Sequence, residues 1–180
     1  MGLGQTMLTA AVLILLQILT IGANRMLMES AQTSYESEAI SIAADLANTL
    51  LDEIGRKDYN ANVRYDIYQQ TSDFTASSSF GPNASEAFAL PDTSSPYKSI
   101  AHYSDVDDYH NYERVARGVT IKGFLLTVKV YYVSSNNPGN VTSGSTYTKR
   151  VEVTVSHSIY LPINPADGKN GIKIIGTFRY

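Results

Sequence analysis

No charged side chain occurs before Arg25 and no proline before Pro82, so the chain opens on a segment that water rejects and that nothing obliges to bend. Residues 7–23 (MLTAAVLILLQILTIGA) are apolar on nearly every side of a helix, the mark of a segment enclosed by lipid or protein. From Arg25 the pattern becomes one-faced. Ala39, Ile42, Ala43, Leu46, Leu50 and Ile54 recur at steps of three and four, an apolar stripe along one helical face. Glu36, Glu38, Asp45, Asn48, Asp52 and Glu53 lie largely off that stripe. Gly55 followed by Arg56 and Lys57 reads as a helix stop, because glycine takes the left-handed turn and bases suit the negative helix end. A helix from residue 6 to 54 is about 70–75 Å long at a rise of ~1.5 Å per residue. Gly22, between the two patterns, is where a kink costs least.

Three uses compete for residues 1–24. A secretory signal peptide needs an early Lys or Arg and a small-x-small cleavage site; no base precedes the apolar run, and Ile21-Gly22-Ala23-Asn24 is a poor site. A membrane anchor needs ~20 apolar residues, which residues 3–23 supply. Thr9, Gln17 and Thr20 are tolerable there but suit a face that meets protein rather than lipid. The third use adds assembly to the anchor: the segment leaves the bilayer and packs against its equivalents in neighbouring copies. Leu8, Val12, Leu13, Ile14, Leu15, Leu16, Ile18, Leu19 and Ile21 then form the packing set. Each contributes about 1.5–3 kcal/mol relative to exposure in water.

The division expected is a helix over 1–55, with an apolar half (1–24) and an amphipathic half (25–55), and a β-rich head over 56–180 large enough for a core of its own. In the head, Val115, Val119 and Ile121 precede Gly123. Leu126, Val128, Val130 and Tyr132 then alternate with Thr127, Lys129 and Tyr131. Tyr147, Lys149, Val151, Val153 and Val155 share one face of a further strand, with Arg150, Glu152, Thr154 and Ser156 on the other. These two runs predict a hairpin whose tip loop holds Asn136–Asn140 and Ser143–Ser145, and a last strand covers 172–180. The fold class expected is α+β: a long N-terminal helix packed by its C-terminal half on an antiparallel sheet. Residues 70–100, rich in serine with Pro82, Pro91 and Pro96, read as a long surface loop.

Composition narrows the function. The net charge is −3 with scattered bases, which gives nucleic acid no electrostatic footprint. There is no cysteine, hence no disulfide, thiolate metal site or Cys nucleophile. No nucleophile elbow, phosphate-cradling loop or dinucleotide fingerprint is present, and His102, His110 and His157 lack metal-ligand spacing, so neither catalysis nor a cofactor is expected. Asp105, Asp107 and Asp108 offer hard oxygen ligands for Ca²⁺, but without the glycine and distal glutamate of an EF-hand; a solvated acidic loop is the plainer expectation. Asn83-Ala84-Ser85 and Asn140-Val141-Thr142 are formal N-glycosylation sequons.

The N-terminus, Gly4-Gln5-Thr6-Met7-Leu8-Thr9, resembles the start of the type IV pilin and pseudopilin superfamily, a glycine followed by Phe-Thr-Leu-Ile-Glu. The helix sequence over 38–54 is similar to that of minor pilins and pseudopilins, and the helix-then-sheet order matches their plan. Here Gln5 stands at the phenylalanine position, the family glutamate falls at Thr9, and only Met1-Gly2-Leu3 precede Gly4. The resemblance implies a divergent, minor pilin-like subunit, either unprocessed or cut between Gly4 and Gln5. It implies a structural role in an extracellular helical homopolymer, with surface adhesion by the heads and an inner-membrane location before assembly. The alternative expectation is a single-pass, membrane-anchored, exported binding domain that never polymerises.

Overall fold

The computed structural model describes residues 2–61, 70–118, 120–162 and 171–180. One helix, α1, runs over Leu3–Gly55, within the expected span of 1–55, with Gly22 helical inside it. The chain divides into two compact units, Met1–Glu38 and Ala39–Tyr180. The division falls within α1 rather than at its end, at the point where the helix acquires a buried face; Ala39 is its first buried residue. In the first unit, residues 2–35 are all exposed.

The second unit is an antiparallel sheet packed against residues 39–55 of α1, the α+β arrangement expected. Its strands are β1 (Glu113–Arg117), β2 (Lys122–Ser134), β3 (Asn137–Val141), β4 (Thr148–Ser156) and β5 (Ile172–Arg179), hydrogen-bonded in the order β1-β2-β4-β5 with β3 also on β2. The register Leu126↔Val155, Val128↔Val153, Val130↔Val151 places the apolar residues of β2 and β4 side by side on one face. Phe124, Leu126, Val128, Val130, Val151, Val153 and Val155 form one core with Ala39, Ala43, Ala47, Leu50 and Ile54 of α1. Alanine at three positions spaced four apart, 39, 43 and 47, lets the helix backbone lie close to the sheet. Ala47, outside the sequence stripe, is fully buried, while Ile42 and Leu46 are half-buried at its margins.

Three expectations need correction. The β2–β4 hairpin exists, but its tip is not a loop throughout: after a turn at Ser135-Asn136 the chain returns as β3, pairing Ser134 with Asn137 and Val133 with Val141. Pro138, which cannot donate to a ladder, fits there because β3 lies at an edge. Of the β-rich run read before Gly123, only Val115 lies in a strand: β1 ends at Arg117, Ile121 precedes β2, and Val119 lies outside the described residues. Gly118 sits where a Cβ would come within 2.5 Å of the Ile121 carbonyl and 2.8 Å of Ile42 Cγ2, so close passage against α1 replaces strand pairing. Finally, residues 70–100 are irregular but not simply a surface loop. Phe74 and Asp92 are buried, and Phe80 and Phe88 pack against the core.

Candidate functional site

The exposed apolar segment of α1 is the first candidate. Leu8, Val12, Leu13, Leu15, Leu16, Ile18, Leu19 and Ile21 are all exposed, from 55% for Val12 to 69% for Leu8, and Ile14 likewise. They point in every direction around the helix, so no single stripe is involved. The helix is long and apolar enough to cross a membrane. Its hydroxyls are satisfied internally: Thr9 Oγ1 donates to the Gln5 and Thr6 carbonyls and Thr20 Oγ1 to Leu16 O. Gln17 differs, making no side-chain hydrogen bond among the described residues. Gly4 and Gln5 lie within the first turn of α1, with Gln5 N donating to Gly2 O at 2.9 Å, so the bond between them is helical rather than extended.

The second candidate is a buried charge centre in the sheet unit. Asp105, Asp107 and Asp108, expected in a solvated acidic loop, are each only 2% exposed. They belong to a turn whose carboxylates hold its own backbone. Asp105 Oδ1 accepts from the N–H groups of Asp107 (2.6 Å) and Asp108 (3.3 Å), and Asp108 Oδ2 from those of Ser104 (2.8 Å) and Asp105 (3.1 Å). Asp107 turns inward: Asn60 Nδ2 donates to its Oδ2 at 2.7 Å and Lys149 Nζ lies 2.5 Å from its Oδ1. Among the described residues, no three acidic or histidine side chains converge on a point that a cation could occupy.

Lys149 is completely buried. It occupies the apolar phase of β4 between Tyr147 and Val151, so its stem follows the core and its ammonium ends against Asp107. Nζ also donates to the Tyr59 carbonyl and lies 4.2 Å from the centre of the Tyr59 ring, 5.4 Å from Tyr132 and 5.6 Å from Phe80. Burial pushes the lysine below its usual range, with Asp107 opposing, and pushes Asp107 above its own, with Lys149 opposing. Asp105 is raised to about 7, first by burial and then by the negative neighbours Asp107 and Asp108. Asp108 is raised by burial against the hydrogen bonds it accepts.

A second ion pair, between buried Arg114 and half-buried Glu53, ties α1 to β1. Arg114 Nη1 reaches Glu53 Oε2 at 2.8 Å, while Ser99 Oγ (2.6 Å) and Tyr109 OH (2.8 Å) donate to Glu53 Oε1. The guanidinium stacks 4.4 Å from the Tyr97 ring centre. Neither Glu53 nor Arg114 stands out in sequence: one lies off the apolar stripe, the other at the start of a strand. Of the two sequons, Asn83 is exposed in a turn closed by Glu86, and Asn140 is exposed within β3. Compared with family models, curated proteins and solved structures, the chain matches none.

Proposed function

We propose that the protein is a structural subunit of a helical, pilus-like extracellular filament, held in the membrane by α1 before assembly and then packed through α1 against copies of itself. The observation that carries this reading is that the apolar segment is exposed on all sides and continues, in one uninterrupted helix, into the helix of the sheet unit. Nine large side chains from Leu8 to Ile21 at about 1.5–3 kcal/mol each amount to roughly 13–27 kcal/mol against water. That sum excludes an aqueous end state but is nearly the same for lipid and for protein surroundings. Gln17 favours protein: an amide with no partner among the described residues is costly in hydrocarbon and cheap beside a neighbouring helix that bonds it. Packing one helix against non-equivalent faces of its neighbours is heterologous, so growth stays open and yields a filament. The sheet units coat the outside, where adhesion would reside.

Leu15→Asp tests the reading. A charge in mid-segment costs about 2.5–3.5 kcal/mol on insertion scales and is unpaired in a packed core. Filaments should vanish from the cell surface for this variant, and Gln17→Leu, which inserts at least as well, should weaken assembly without loss of membrane-held protein. If native material never polymerises and Gln17→Leu is silent, the protein is an anchored, exported binding domain instead.

A further inference from the structure

Lys149 and Asp107 form a fully buried ion pair whose nitrogen and carboxylate are in direct contact. We propose that Lys149 Nζ and Asp107 Cγ condense into an intramolecular amide, a covalent tie between β4 and the turn Asp107–Tyr109. Lys149 Nζ stands 2.5 Å from Oδ1, an atom one bond from the carboxyl carbon it would attack, and both side chains are at least 97% buried. Oδ1 lies against the Lys149 ammonium, the source of the two protons it must take to leave as water. Oδ2 is held by Asn60 Nδ2 at 2.7 Å, a donor placed where negative charge develops when the carboxyl carbon becomes tetrahedral. The Tyr59 carbonyl and the rings of Tyr59, Tyr132 and Phe80 fix the amine and keep bulk water away.

The step balances without any further reactant. An ammonium and a carboxylate become an amide and one water. The Nζ–Cγ bond forms, the Cγ–Oδ1 bond breaks, and two of the three ammonium protons leave on Oδ1 while the third stays on the amide nitrogen. No electrons change hands. Burial favours the neutral amine and the neutral acid, the forms that react. Fixing the two groups at contact supplies the effective concentration that makes such a condensation proceed in a folded chain. The Arg114–Glu53 pair provides the contrast: the nitrogen lone pairs of a planar guanidinium are delocalised, so it is a poor nucleophile towards a carboxyl carbon. In a chain with no cysteine, the amide would be the covalent brace that a disulfide supplies elsewhere.

Intact mass spectrometry of the denatured full-length protein decides the matter. The chain should weigh one water less than its sequence, after allowance for any N-terminal trimming. Lys149→Ala and Asp107→Ala should each restore the full sequence mass. A tryptic digest should contain peptides 99–114 and 130–150 joined, with fragmentation placing the link at Asp107 and Lys149. Wild-type protein at full mass, with these peptides separate, overturns the proposal whether or not the variants fold. A mass one water low with the peptides unlinked overturns it too, because the loss then lies in a backbone imide. Asn60→Ala removes the donor to Oδ2 and should lower the fraction joined at a fixed time after folding.

Discussion

Glu53→Ala tests whether the sheet unit is held to α1 by a specific buried contact as well as by apolar area. The substitution leaves Arg114, only 2% exposed, with its charge facing an empty site, and removes the acceptor of Ser99 Oγ and Tyr109 OH. Breaking a buried ion pair from one side costs about 3–5 kcal/mol. For a cooperative unit of ~140 residues, an unfolding entropy of ~2.1 cal/mol/K per residue gives ~0.3 kcal/mol/K, so the midpoint should fall by about 10–17 °C. The removal of both charges is the informative control. Glu53→Leu with Arg114→Met should recover most of the loss, since well-packed apolar replacements of buried pairs are often neutral or better. The assay is thermal and urea unfolding of the full chain in detergent, followed by the signals of its tyrosines. A single-variant loss below about 1 kcal/mol, the range of exposed pairs, would refute the reasoning and mean that water reaches the bridge.

Other consequences are more local. Asp105 keeps its proton up to about 7 in the folded chain, whereas an unfolded aspartate loses it near ~3.9. The folded state therefore binds the extra proton between those values, and this group's contribution is full below ~pH 4 and lost as pH rises towards 7. Asp105→Asn should flatten that part of the stability–pH profile relative to wild type; an unchanged difference across pH 4–7 would contradict it. Gly118→Ala places a methyl against the Ile121 carbonyl and Ile42, and should cost about 1–3 kcal/mol in urea unfolding as overpacking does. Leu50→Ala, at a fully buried position, should cost about 2–5 kcal/mol by the same measurement, and a cost under 1 would mean that α1 does not close the core.

The architecture was legible because periodicity reports burial. Steps of three and four along 39–54 and alternation in β2 and β4 each name a face that must leave water, and the two faces meet. What periodicity misses is polar residues with buried duties. Glu53 lies off the apolar stripe yet is drawn in by Arg114, and Arg114 is buried although its strand neighbour Val115 is only half so. The acidic turn read as solvated because composition alone carries no record of a lysine contributed forty residues later. One signal was present: Lys149 interrupts the valine phase of β4, and a lysine inside an apolar alternation either snorkels or finds a buried carboxylate. The return of β3 was hidden by turn-forming residues, which also serve at a sheet edge.

The central claim is that the apolar helix comes to rest among sister helices. Electron cryomicroscopy of untreated cell-surface material measures this directly. The account predicts helical filaments whose axis is filled by α1 segments in side-chain contact from Leu8 to Ile21, with the Gln17 amide bonded to a neighbour and no lipid density between them. Isolated particles with that segment still sheathed in bilayer would contradict it.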